Sequence, residues 1–296
     1  MRSVILAILA ILLMQAPAAA QTADSAAARL TPETGTIGLA QADAVLTLGE
    51  EYRFYGPADA RTILVEIWEN PPSEADGVLG IVMPADATPD QRSWGAVVTW
   101  EPIGWVSGEN ARQADYDELL AQMQSATRAR NPERRAQGFP EVQVMGWALE
   151  PRHDSVRNTV SWARELHFFD GAPTTLHYDL RLLGRRGVLS MNVVGEMDQL
   201  EEIRVAAQDL AERASFNPGA RYADFDAERD EVANYGVAGL VATGVGVAVV
   251  KNAGVLAALA KLLQPLGIAL LVLLAALFTP LRRLFGSKQA KDAATR

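Results

Sequence analysis

Thr159–Phe169 reads TVSWARELHFF, Thr175–Leu183 reads TLHYDLRLL, and Val188–Val194 reads VLSMNVV. In each stretch apolar residues recur at every second position. They are Val160, Trp162, Leu166 and Phe168, then Leu176, Tyr178, Leu180 and Leu182, then Leu189, Met191 and Val193. A period of two marks a strand that buries one face. Asp170-Gly171-Ala172-Pro173 and Gly184-Arg185-Arg186-Gly187 separate the stretches, and both are turn-forming. The spacing predicts a three-stranded antiparallel meander over 159–194 with one buried side. Arg164 is the one charged intruder on its apolar stripe.

Downstream, Asp198–Ala214 places Leu200, Ile203, Ala207 and Leu210 on one helical face, with Asp198 and Glu201 in capping-box positions. Upstream, Ala44–Leu48, Tyr52–Tyr55, Val78–Met83, Trp94–Trp100 and Val142–Trp147 read as strands, and Arg61–Trp68 and Asp115–Arg130 as helices. Many strands and few helices predict an α+β domain, an antiparallel sheet with packed helices. The chain has no cysteine, so core packing must hold it without disulfides.

The two ends carry an address. Arg2 precedes an apolar core at Val4–Met14, and Ala18-Ala19-Ala20 is a small-x-small cleavage pattern, so 1–20 reads as a signal peptide. Between Lys261 and Arg282 lie 20 residues without charge, which cover about 30 Å as a helix, the thickness of a hydrocarbon core. Residues 262–281 therefore read as a C-terminal transmembrane helix, and the basic tail 282–296 as cytoplasmic by the positive-inside rule. This leaves 21–232 as a periplasmic domain at the bacterial inner membrane. The Gly-rich stretch 233–261 reads as a membrane-proximal helical segment, with Ala238, Ala242 and Gly246 in a small-xxx-small ladder.

Residues 21–261 hold 21 basic against 35 acidic residues. Such a balance repels nucleic acid and anionic headgroups, so the bilayer is expected to be met only through 262–281.

Several stretches together resemble a bacterial family of predicted membrane-anchored proteins that carries a domain of unknown function. They are Tyr116-Asp117-Glu118-Leu119-Leu120, Gly146-Trp147-Ala148, Trp162-Ala163, Leu183-Gly184-Arg185-x-Gly187, Gly219-x-Arg221-Tyr222-x-x-Phe225 and Ala233-x-Tyr235-Gly236. The chain departs from that pattern at Glu69, where Gly is expected before Asn70-Pro71, and at Trp105 and His153, where Tyr is usual. The resemblance implies export and anchoring and supplies no reaction.

The residues offer few sets that could do chemistry. If one meander face is buried, partners across its first hairpin have an even index sum. A sum of 344 sets His167 opposite His177, with Glu165 and Asp179 beside them on the polar face, a candidate metal or proton-sensing cluster. A solvated strand face accounts for the same residues, so no metal or cofactor is expected. His153, Asp154, Ser155 and Ser161 supply hydrolase residue types, but there is no G-x-S-x-G elbow. The six tryptophans could stack on sugars, although most lie on apolar faces. Arg185-Arg186 could grip an anion, although a charged hairpin turn is commoner. The leading expectation is a non-catalytic interaction module of the cell envelope, engaging other membrane proteins or a second copy of itself. An anchored cell-wall or metal-dependent hydrolase is the second reading.

Overall fold

A computed structural model describes residues 26–243 apart from 110, 112, 113, 170 and 172. These belong to the first of two compact units, Met1–Gly246. The signal peptide, the span 262–281 and the tail lie outside the described residues. Among those described, no helix is long and apolar enough to cross a membrane.

The fold is α+β. A seven-stranded antiparallel sheet is built from β3 (Tyr52–Tyr55), β4 (Val78–Pro84), β5 (Gly95–Glu101), β6 (Val142–Asp154), β7 (Thr159–Phe168), β8 (Thr175–Leu183) and β9 (Val188–Glu196). Their order is β3-β4-β5-β9-β8-β7-β6. A second sheet joins β1 (Thr36–Leu39), β2 (Ala44–Thr47) and β10 (Ala214–Phe216), with β2 central. The helices are α1 (Pro57–Thr62), α2 (Tyr116–Ala136), α3 (Leu200–Arg213) and α4 (Val237–Thr243).

The meander is present and extends to four strands, because β6 runs on to Asp154 and pairs with β7 through three register shifts. Its register corrects the expected one. Trp162 pairs with Asp179, Arg164 with His177 and Glu165 with Leu176, an odd index sum. The apolar stripe of β7 therefore lies on the opposite face from those of β8 and β9. Both faces are covered, so alternation alone could not say which stripes coincide.

On one face Ala96, Val98, Leu180, Leu182, Met191 and Val193 pack against Ile203 and Leu210 of α3 and against the small sheet. The other face carries two separate apolar clusters. Tyr55, Ile81 and Met83 pack under Ile63 and Leu64, which belong to a π-helical turn, Ile63–Ile67, continuing α1 where one regular helix was expected. Val160, Trp162, Leu183 and Val188 pack under Met123 of α2 and Val237, Leu240 and Val241 of α4. The start of the Gly-rich segment is thus part of this core.

Local chemistry fixes the helices that shape this second cluster. The Asp115 side chain accepts from the Glu118 N–H at 3.0 Å and caps α2. Asn131 then clamps the outer edge of β6, donating to the Val142 carbonyl and accepting from the Val142 N–H, both at 3.0 Å. Gln124 donates to the Val144 carbonyl at 3.2 Å. Edge groups open to stray pairing are closed in this way. At α3 the reciprocal cap falls on Glu196 and Gln199, two residues before the expected pair, because a 3-10 turn over Met197–Gln199 precedes the helix.

Candidate functional site

Between the two clusters on the second face runs a row of buried charge, which the register creates. Asp179 is fully buried and receives the Arg164 guanidinium at 2.7 Å and the Arg181 guanidinium at 2.9 Å. Arg181 also meets Glu101 at 2.5 Å, and the Ser190 hydroxyl donates to the same Glu101 oxygen at 2.7 Å. Asn192 donates to Asp179 at 3.1 Å, and Arg181 lies 5.4 Å over the Trp162 ring. Two cations and two anions balance, as buried charge requires. The row is closed rather than open to a ligand, and it reads as architecture. Half-buried His177 stands at its end, and burial, followed by the Arg164 charge, pushes its imidazole down to about 4.

The four residues of the expected metal cluster are divided. His177 and Asp179 share the face of the ionic row, while Glu165 and His167 follow the other alternation, and His167 pairs with Gln143. The even index sum that brought them together does not hold. Among the described residues, no group of three or more His, Asp or Glu stands where it could hold a metal ion. Arg185 is engaged too, with Asp230 at 2.6 Å and the Gly219 carbonyl at 3.1 Å.

A cleft of about 670 Å³ opens beside the second apolar cluster, where the end of β6 meets the segment 102–109. That segment has almost no regular structure and is stitched in place. Gly104 N–H donates to the Arg186 carbonyl at 3.1 Å, Trp105 N–H to Glu231 at 2.8 Å, and Val237 N–H to Ser107 at 3.2 Å. Gly104 has φ +87°, and a Cβ there would sit 2.7 Å from the Glu231 oxygen, so only glycine fits. The Trp105 indole stacks on Tyr222 with centroids 4.9 Å apart and on Phe225 at 4.4 Å. The Tyr222 hydroxyl donates to the Val106 carbonyl at 3.0 Å, and the Tyr116 hydroxyl to Ala111 at 2.7 Å. Trp147 donates to the Tyr116 carbonyl at 3.2 Å. The walls are thus aromatic and held rigid.

Of the hydrolase residue types, His153 and Ser155 line this cleft on alternate positions, and His153 lies against Gly108. Asp154 is spent elsewhere. It accepts from the backbone of Val156 at 2.8 Å and Arg157 at 3.0 Å, and from the Arg157 guanidinium at 3.2 Å. The Arg157 backbone bond leads in holding its carboxyl below the usual range. No acid from that position orients His153, and Ser161 sits within β7, paired with Leu180. Trp94 and Trp162 are buried, Trp68, Trp100 and Trp147 are half-buried against the core, and Trp105 lines this cleft. Composition had not singled out the cleft. The signal was the resemblance, because Tyr116 and Tyr222 line the cleft, while Phe225 stacks on Trp105 and Trp147 bonds the Tyr116 carbonyl.

Fold and site together define an α+β domain with a rigid, aromatic-walled cleft on the covered edge of an antiparallel sheet. The chain belongs to the family described as protein of unknown function (DUF2167), whose model matches residues 31–277. Among solved structures, cyanobacterial PsbP (CyanoP) from Synechocystis sp. PCC 6803, determined in solution, is similar at 8% identity. The match covers 64% of this chain and 92% of that one with a TM-score of 0.35. No curated protein matches the sequence.

Proposed function

We propose that the chain is a non-catalytic binding module of the bacterial envelope, which takes its partner in the cleft walled by Trp105, Tyr116 and Tyr222. Export by 1–20 and anchoring by 262–281 would hold it at the inner membrane facing the periplasm. The observation that carries this reading is how the cleft's polar groups are used. Both phenols are spent on holding shape, and the Asp154 carboxyl is taken up by the turn at Arg157 instead of lining the cleft, which supports reading the site as a preformed receptor. Preformed walls cut the ordering cost of binding.

The test is crosslinking and pull-down of the full chain from native membranes, wild type against Ser155→Trp. Ser155 is exposed at the rim, so the larger ring fills the cleft without entering the core. Recovery of a defined partner by the wild type and its loss in the variant support the reading. Equal recovery, or a lone monomer from both, overturns it. Anchoring has its own test, because the chain has no cysteine. A single Cys at Val156, which is 87% exposed, should label from the periplasm with an impermeant maleimide, and one in 282–296 should not.

A further inference from the structure

We infer that a second copy of this chain docks on β1, the open edge of the small sheet, by antiparallel strand pairing. The other sheet edges are clamped in part or cut short. Along β6, Asn131 and Gln124 of α2 take the Val142 and Val144 groups. Along β3, Glu33 exchanges both backbone bonds with Phe54, at 2.7 and 2.8 Å. β10 is three residues long and gives its first N–H to the Leu210 carbonyl of α3. β1 has no such cover. The Gly35 carbonyl accepts from Leu48 at 2.7 Å, and its N–H donates to Gly49 at 3.3 Å, both just past β2. Alternation then turns the backbone of Ile37 and Leu39 toward β2, opposite Leu46 and Ala44, and that of Thr36 and Gly38 away from it. Among the described residues, nothing bonds the outward backbone groups of Thr36 and Gly38. Gly38 is exposed, and without a side chain that exposure is its backbone.

An open strand edge is a template for another strand, which charge, proline or a bulge would blunt. β1 has none of these. Residues 34–42 hold no charge and no proline, and the pairs with β2 run in unbroken register. Bare backbone pairs with any strand, and two observations choose a second copy. A twofold interface needs a patch that complements itself. With the axis at Ile37, Thr36 of each copy faces Gly38 of the other, so the outward N–H groups and carbonyls of both are satisfied. The second observation is charge. Over residues 21–261 acids outnumber bases by 35 to 21, so two copies repel each other over much of their surface. Like charges opposite one another also destabilise a strand pair, and this neutral edge brings none together. Ile37 and Leu39 stay buried in the core of their own copy, and the two small sheets become one.

Hydrogen exchange of the full chain in detergent, resolved to single amides and set beside sedimentation across a dilution series, decides the matter. The Thr36 and Gly38 amides should be slowed about tenfold or more in the dimer and exchange freely in the monomer, while Ile37 and Leu39 stay protected in both. Gly38→Pro removes an N–H that the ladder to β2 does not use, so the fold should stand. Self-association should weaken about tenfold or more, since each copy loses a hydrogen bond. A Cβ at Gly38 meets nothing within 4 Å, so Gly38→Val keeps the donor, adds β propensity and should associate at least as tightly. A chain that stays monomeric overturns the inference. So does a dimer whose Thr36 and Gly38 amides exchange freely, because it is held elsewhere, and so does association indifferent to Gly38→Pro. Protection gained by the monomer only with membrane extract gives the edge to another protein and overturns it too. Exchange of the wild type decides alone should the proline variant fail to fold.

Discussion

The two faces of the seven-stranded sheet meet the same demand for burial in opposite ways. One is apolar throughout, from Ala96 on β5 to Leu180 on β8, and closes on α3 and the small sheet. The other splits its apolar residues into two clusters and buries Arg164, Asp179, Arg181 and Glu101 between them. The first arrangement tolerates any register that keeps apolar side chains inward. The second does not, because Asp179 reaches Arg164 across the strand pair only with Trp162 opposite it. A one-residue slip of β8 would send Asp179 and Arg181 into the apolar face. The ionic row thus adds little net stability over a hydrophobic equivalent, and its contribution is to select one pairing.

The comparison breaks most sharply at Asp179. Asp179→Ala leaves two buried guanidinium groups without their shared anion and should cost about 3–5 kcal/mol in urea unfolding. Adding Arg164→Ala should cost clearly less than in the wild-type background, since the arginine has already lost its partner. Equal costs in both backgrounds would mean the row is a set of independent pairs. On the apolar face, Leu189→Ala should cost about 3 kcal/mol by transfer and cavity alone. That cost should be the same at pH 5 and pH 7.

The pH axis separates the faces again. His177 is held neutral, with its imidazole lowered to about 4 against an unfolded value near 6.5. Below pH 6.5 the unfolded chain takes up a proton that the native chain refuses. The stability that His177 contributes is complete above pH 6.5 and is lost as pH falls toward 4. The loss should reach at most about 2 kcal/mol by pH 5. His177→Gln should flatten the unfolding midpoint between pH 7 and 5. A variant that keeps the full slope would assign the proton uptake to another group.

The sequence showed some of this and hid the rest for physical reasons. The period of two in 159–194 made the meander legible, and the helical spacing of Asp115–Arg130 did the same for α2. The register was illegible because β7 is covered on both sides. Its apolar stripe, Val160, Trp162 and Leu166, looks the same whichever face it joins. Arg164 was the clue, a charge on an apolar stripe that makes sense only opposite the charged positions of β8. The cleft was hidden for a different reason. Its aromatic walls come from 105, 116 and 222, distant in sequence and joined through backbone bonds that no local pattern announces. His153 and Ser155 were visible as residue types, whereas the turn that occupies Asp154 depends on Arg157 and could not be weighed from composition.

The smallest expected effect tests the cover over the ionic face. Glu69 follows the π-helical turn and has φ +52°, while Trp68 and Asn70 N–H groups close back onto Ile63 and Leu64, both at 2.8 Å. That is a left-handed helix end, where an L side chain costs about 1–2 kcal/mol and glycine nothing. The side chain is exposed and takes part in none of these bonds. Glu69→Gly removes the strain but adds freedom to the unfolded chain, so the net gain should be about 0.5–1 kcal/mol. A higher urea midpoint at unchanged slope would report it. Glu69→Ala separates the cause, since alanine removes the same charge and keeps the Cβ. If alanine gains as much as glycine, the benefit is electrostatic and the backbone at 69 is not strained. If only glycine gains, the glutamate is tolerated there because Ile63, Leu64 and Trp68, packed over the sheet, hold the chain in that conformation.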